Sequence, residues 1–175
     1  EKPRSPGEEI IKADGMITDQ PGITLIMRFA DCVPLLYFDP RRSAVGIAHA
    51  GWKGTVQKIA GEVVRSMAAV FGSRPQDIQV GIGPSIGPDH YQVGEDVIAR
   101  VKKAFPGRSS SLLQSDQDGV KLDLWKANQI ILEDEGVRQV ETARICTACH
   151  TDDWFSYRAE QGETGRFAAL IALLA

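Results

Sequence analysis

Cys32 and His49 are the side chains in this chain whose types and placement most directly suggest chemistry. Cys32 precedes the apolar run Leu35-Leu36-Tyr37-Phe38, and His49 follows Ala44-Val45-Gly46-Ile47-Ala48. The turn sequence Asp39-Pro40-Arg41-Arg42-Ser43 lies between the runs and predicts a hairpin with a longer loop. Antiparallel pairing would bring Cys32 and His49 to one end. A thiolate beside an imidazole suits a soft-to-borderline metal such as zinc, or a cysteine nucleophile with its base. The structural alternative is a buried thiol acting as a small hydrophobe, with a histidine hydrogen-bonded at a strand end.

Other residues could act beside them. Arg158 follows Phe155-Ser156-Tyr157, and Arg166 follows the turn Thr164-Gly165. Two guanidinium groups separated by a Gly-containing turn could converge on one phosphate or carboxylate, or stand as a solvated pair or structural salt bridges. Asp14 and Asp31 are candidate acid/base or orienting groups, with turn and cap roles as the alternative. Cys146-Thr147-Ala148-Cys149-His150 spells the haem-attachment pattern C-x-x-C-H. Neither an export signal nor a small helical haem fold accompanies it, and no second C-x-x-C or H-x-x-H completes a zinc site. Cys149 and His150 therefore stay outside the expected metal set, and His90, in Pro88-Asp89-His90-Tyr91, reads as a loop residue. Gly81, Gly83 and Gly87 lack the Lys-Ser/Thr of a P-loop, and turn chemistry accounts for them.

The elements that must position these groups are a mixture of strands and helices. Ile23 to Phe29 is strand-like after the turn signal Gln20-Pro21-Gly22. From Thr55 to Phe71, Val56, Ile59, Ala60, Val63, Val64, Met67 and Phe71 repeat at helical spacing, with Gly72 placed to end the helix. Asp77 to Ile82 reads as a buried strand and Glu95 to Phe105 as a second helix. Arg108 to Gly119 reads as a mobile surface loop. Asp123 caps a third helix running through Glu135 and stopped at Gly136. Val137 to Ile145 and Phe167 to Leu174 are strand-like, and Glu1 to Glu9 reads as a polar loop. The elements do not alternate strictly as βαβ, which argues against a doubly wound parallel sheet.

At 175 residues the chain fits a single domain, 1–175, with a substantial core. A net charge of −3 with scattered Lys and Arg gives no nucleic-acid footprint. No apolar run is long enough to span a bilayer, so no membrane role is expected. Three cysteines without framework spacing favour a reducing, cytoplasmic setting over disulfide staples.

Ala13-Asp14-Gly15-Met16-Ile17-Thr18, Ala30-Asp31-Cys32-Val33-Pro34, Ala48-His49-Ala50-Gly51-Trp52-Lys53-Gly54, Gly81-Ile82-Gly83-Pro84-Ser85-Ile86-Gly87, Cys146-Thr147, Phe155-Ser156-Tyr157-Arg158 and Thr164-Gly165-Arg166 follow one another in this order. The ordered set resembles the laccase-like multicopper polyphenol oxidoreductase family. Members of that family are also described as purine nucleoside phosphorylases, and some as peptidoglycan editing factors. The resemblance implies an α/β/β/α layered sandwich of mixed sheets with helices outside. It implies a zinc enzyme acting on adenosine, inosine or related nucleosides by phosphorolysis or deamination, with nucleoside and phosphate as partners. Cys32 and His49 would be metal ligands, Asp31 and Asp14 catalytic, and Arg158, Arg166 and Trp52 substrate-binding. Cys146-Thr147 recurs in the family as a structural or pocket-lining pair.

In the family a further histidine, in an upstream Gln-x-His motif, completes three ligands. Three ligands with one open position is the arrangement that brings bound water to a pKa of about 7. None of His49, His90 and His150 sits in such a motif, so the natural protein is expected to continue before Glu1. Three rivals stand beside this reading. Copper could occupy the same site in a polyphenol oxidase, although a four-copper enzyme needs many more histidines than the three present. A metal-free Cys32/His49 hydrolase could act on a peptidoglycan precursor. The third rival is a binding protein that has lost activity.

Overall fold

The computed structural model describes residues 13–174. The polar loop expected over Glu1 to Glu9 lies outside the described residues. In chain order the elements begin with β1 (Gly15–Thr18), β2 (Thr24–Phe29), β3 (Val33–Asp39), β4 (Ala44–Ala50), α1 (Trp52–Val56), α2 (Ile59–Phe71) and β5 (Gln79–Ile82). They continue with β6 (Gln92–Val93), α3 (Glu95–Ala104), β7 (Leu113–Asp116), β8 (Gly119–Leu122), α4 (Leu124–Asp134), β9 (Gln139–Thr142) and β10 (Phe167–Ala172).

The expected hairpin is the centre of the molecule. β3 and β4 pair antiparallel, with Val33 opposite Ala50 at one end and Asp39 opposite Ala44 at the other. The Asp39 side chain makes the turn by accepting the backbone N–H groups of Arg41 and Arg42 at 2.8 and 3.1 Å. Around this hairpin a five-stranded sheet forms in the order β1-β4-β3-β5-β9, mixed because β9 runs parallel to β5.

Period-two alternation then fixes the layers. Leu35 and Tyr37 of β3 and Ala48 and Ala50 of β4 enter one core with Val63, Val64 and Met67 of α2 and Ile131 of α4. Val45 and Ile47 enter a second core with Leu25 of β2. β2 and β10 pair antiparallel as a two-stranded ribbon, laid on the face of the large sheet opposite the helices. The outer face of the ribbon leaves Ile26 and Leu170 54% and 58% exposed. β6, β8 and β7 make a third, smaller sheet. The fold is thus the expected mixed α/β sandwich with mixed sheets in a single domain. No helix of the described residues is long and apolar enough to cross a membrane.

Two expectations about elements change. The helix expected from Thr55 to Phe71 is broken into α1 and α2 at Lys58, whose φ of 64° lies in the left-handed region. Tertiary contacts favour the break: Thr55 is buried and accepts a hydrogen bond from Asn128 Nδ2 at 3.1 Å, while Lys58 Nζ lies 3.2 Å from the centre of the Phe105 ring. Gly72 does end α2, at φ 68°. The second change is Arg108 to Gly119, expected as a loop. It contains β7 and the turn into β8, and Lys121 Nζ meets Asp116 Oδ2 at 2.6 Å across that hairpin. The polar composition hid a hairpin whose exposed face needs no apolar residues.

Candidate functional site

The register of β3 on β4 continues past the strands, so that Cys32 comes across from Gly51. A methyl group at Gly51 would stand 2.9 Å from Cys32 Sγ and 4.0 Å from His49 Cε1. The glycine keeps open a point that the thiol and the imidazole both flank. Asp14, the residue before β1, meets the histidine from the other side: the His49 N–H donates to the Asp14 carbonyl at 2.8 Å, and Nδ1 lies 3.7 Å from Asp14 Oδ1. The Phe29 ring packs 5.3 Å from the imidazole and 5.9 Å from the Phe167 ring. Cys32 and His49 therefore sit where the ribbon meets the end of the large sheet.

The charges around Cys32 are mixed. Burial, then the neighbouring Asp31, push its thiol up to about 11, while Arg166 pulls it down and Asp14 adds to the rise. A lone thiolate is disfavoured there, and a cation would be welcome. Arg166 reaches this region from the turn before β10, with Nη1 bonded to the Thr164 and Gly165 carbonyls at 3.0 and 2.6 Å. Trp52 opens α1 directly after the glycine, half-buried, with Lys53 Nζ 5.7 Å and Arg100 5.6 Å from its ring.

Asp31 is a buried hub. Its Oδ1 accepts the hydroxyls of Thr147 and Ser156, both at 2.7 Å, and its Oδ2 accepts the Arg158 N–H at 2.6 Å. Its backbone stands at φ 81°, a conformation Asp tolerates better than most residues. The carboxylate thus ties the strand end bearing Cys32 to two later segments. Arg158 in turn bonds the carbonyls of Gln92 and His90 at 2.9 and 3.4 Å, and its guanidinium lies 5.3 Å from the Tyr91 ring. Burial, with Cys32 close by, raises the Tyr91 hydroxyl well above its ordinary range.

A second cluster lies in the segments that Asp31 and Arg158 hold. Cys149 Sγ is 3.5 Å and Cys146 Sγ 3.8 Å from His90 Nδ1, and the three ligand atoms lie within 4.8 Å of one another. This His/Cys/Cys group could hold a metal. The sequence showed only its C-x-x-C half. The third member comes from the Gly-Pro corner 56 residues earlier, a distance no short motif encodes. His150, the fifth letter of C-x-x-C-H, donates from Nδ1 to the Cys146 carbonyl at 2.9 Å and braces the turn.

A profile of the family described as "Multi-copper polyphenol oxidoreductase laccase" matches residues 2–174. The chain is 38% identical over 162 residues to a protein of Bacillus subtilis (strain 168) named purine nucleoside phosphorylase YlmD, covering 91% of this chain and 58% of that one. It is 40% identical over 162 residues to a purine nucleoside phosphorylase of Deinococcus radiodurans, covering 93% and 62%. The solved structure of YlmD from Geobacillus stearothermophilus superimposes with a TM-score of 0.89 at 37% identity, covering 94% of this chain and 62% of that one. The chain thus spans about three fifths of the length of these relatives.

Proposed function

This chain belongs to the multi-copper polyphenol oxidoreductase laccase family, and from that membership we propose that it is a zinc-dependent purine nucleoside phosphorylase that also deaminates adenosine. The observation that carries the reading is the placement of Cys32 and His49 on either side of the space left by Gly51, with Asp14 3.7 Å from His49 Nδ1 and the Arg166 charge acting on Cys32. The donor set fits zinc: one thiol and one imidazole are common ligands, and carboxylates on both sides favour a cation. Cys32 Sγ and His49 would supply two of the ligands, with the Asp14 carboxylate 3.7 Å from Nδ1 of the imidazole. When bound, zinc supplies Lewis acidity to a substrate group.

The chain's own residues do the rest. Arg166 offers a guanidinium fork to phosphate at the edge of the pair. In phosphorolysis a phosphate oxygen bonds to the anomeric carbon while the glycosidic C–N bond breaks and its electron pair goes to the purine. The leaving purine takes up a proton. Asp31 has its oxygens engaged by Thr147, Ser156 and Arg158 and acts as a positioning residue. Asp14, its side chain 69% exposed, is the carboxylate left for proton transfer. Trp52 supplies an aromatic edge for the base, and Arg158 holds the His90–Gln92 segment that carries Tyr91. Burial and the adjacent Asp31 raise the Cys32 thiol, which favours a cation beside the sulfur over a free nucleophilic thiolate.

Adenosine turnover with and without phosphate tests this reading. Phosphorolysis yields ribose 1-phosphate only with phosphate, and deamination yields inosine without it. Arg166→Ala is expected to lower the phosphate-dependent route by at least ~10-fold, the effect of losing one charge-assisted contact of about 1.5–3 kcal/mol, and to leave deamination nearer wild type. Cys32→Ser and His49→Ala are each expected to remove one equivalent of zinc together with both activities. Zinc content unchanged in both variants, or turnover of a phenol with no nucleoside activity, would overturn the proposal.

A further inference from the structure

We infer that His90, Cys146 and Cys149 form a second, structural site for a soft divalent cation of the zinc class, separate from Cys32 and His49. The geometry is that of a site already shaped. With zinc–sulfur and zinc–nitrogen bonds of about 2.3 and 2.0–2.1 Å, tetrahedral angles put sulfur and nitrogen roughly 3.6 Å apart. The two S···N separations here are 3.5 and 3.8 Å. Two sulfurs from one C-x-x-C turn, closed by the Cys149 N–H on the Cys146 carbonyl at 3.2 Å, and the exposed His90 imidazole make three ligands. Exposed Cys149 and His90 leave the fourth position to water.

The supporting contacts suit a ligand rather than a chance encounter. The Gly87 N–H donates to Cys146 Sγ at 3.1 Å, the kind of donor that stabilises a thiolate. A Cβ at Gly87 would come within 3.1 Å of Cys146 Cβ and 3.2 Å of Sγ, so the glycine is what lets that corner approach the sulfur. His90 is anchored to the same corner, its N–H donating to the Gly87 carbonyl at 3.1 Å. Thr147, inside the C-x-x-C turn, donates its N–H to the Ser85 carbonyl at 3.1 Å. Two thiols and an imidazole select a zinc-like ion over hard cations, and binding releases the two thiol protons to solvent.

Such a cation would clasp the Gly-Pro corner to the Cys146 turn. Thr147 bonds Asp31, next to Cys32, and the carbonyls of His90 and Gln92 hold Arg158. The clasp thus fixes both segments that border the first pair.

The test uses protein carrying Cys32→Ser with His49→Ala, so that the first pair contributes nothing. The protein is stripped of metal under reducing conditions and titrated with Co²⁺. One equivalent is expected to bind, with thiolate-to-cobalt charge-transfer absorption that Zn²⁺ abolishes by displacement, and Zn²⁺ is expected to raise the melting temperature. Adding Cys149→Ala, or His90→Gln in a separate variant, is expected to weaken Zn²⁺ binding by more than the ~10–100-fold typical of losing an outer-shell partner. Both side chains are exposed, and circular dichroism checks that each variant folds. Absence of the charge-transfer band, or uptake unchanged in both added variants, would overturn the inference. So would a Cys146–Cys149 disulfide that persists under the reducing conditions used.

Discussion

Asp31 has both carboxylate oxygens engaged by the fold itself, which makes it a positioning residue in the function proposed above. Three donors converge on it, from Thr147, Ser156 and the Arg158 backbone, and each comes from chain more than a hundred residues away. Asp31→Asn isolates the charge. Asn accepts the same left-handed backbone, and its carbonyl oxygen can still receive the two hydroxyls. Its amide then faces the Arg158 N–H, donor against donor, leaving buried polar groups unpaired at a cost of about 1–3 kcal/mol. The expected outcome is a lower melting temperature with a raised KM for nucleoside and a smaller change in kcat. That split separates a positioning role from proton transfer, which would lower kcat most. The motif around residue 31 was legible in the sequence. Its role was not, because Thr147 and Ser156 become its partners only through the fold.

Among elements, the strands were the most readable, since β3 and β4 carry clean apolar runs joined by an Asp-Pro turn. The break between α1 and α2 was hidden for a physical reason: apolar spacing runs unbroken through Lys58, and only the contacts of Thr55 and Phe105 select its left-handed backbone. The His/Cys/Cys cluster was hidden because its imidazole comes from a different corner of the chain. The segment between Ser156 and Thr164 makes a further point. Glu160 Oε2 accepts the Thr164 hydroxyl and, at 2.8 Å, the Ser156 N–H, and these bonds hold its carboxyl below the usual glutamate range. A depressed folded-state pKa contributes stability above the unfolded value and loses it as pH falls through the folded one. Thermal melts from pH 7 down to about 3 are therefore expected to show wild type losing an increment that Glu160→Gln lacks throughout. The two melting curves converge at the acid end. A constant offset across that range would remove Glu160 from the account of this segment.

At the scale of the whole molecule the site is a seam between two layers. His49 lies in β4 of the five-stranded sheet and Cys32 and Asp14 stand one residue before its β3 and β1, whereas Arg166 enters with the ribbon, one residue before β10. What aligns the two is the second core, in which Leu25 of the ribbon packs against Val45 and Ile47 of the sheet. Leu25 pairs with Ile171, at the far end of the ribbon from the Phe29–Phe167 pair that abuts the site. Leu25→Ala therefore removes packing between the layers without touching any residue of the site. A buried Leu→Ala change costs about 2–5 kcal/mol, depending on how far the surroundings collapse. If the seam aligns the proposed site, the variant keeps its metal content, because Cys32 and His49 ride on the same sheet. Its KM for phosphate rises, because Arg166 rides on the other. Metal analysis beside phosphate-dependent kinetics reads the two layers separately. Equal loss of metal and of phosphate affinity would mean that the sheets do not act as separate bodies.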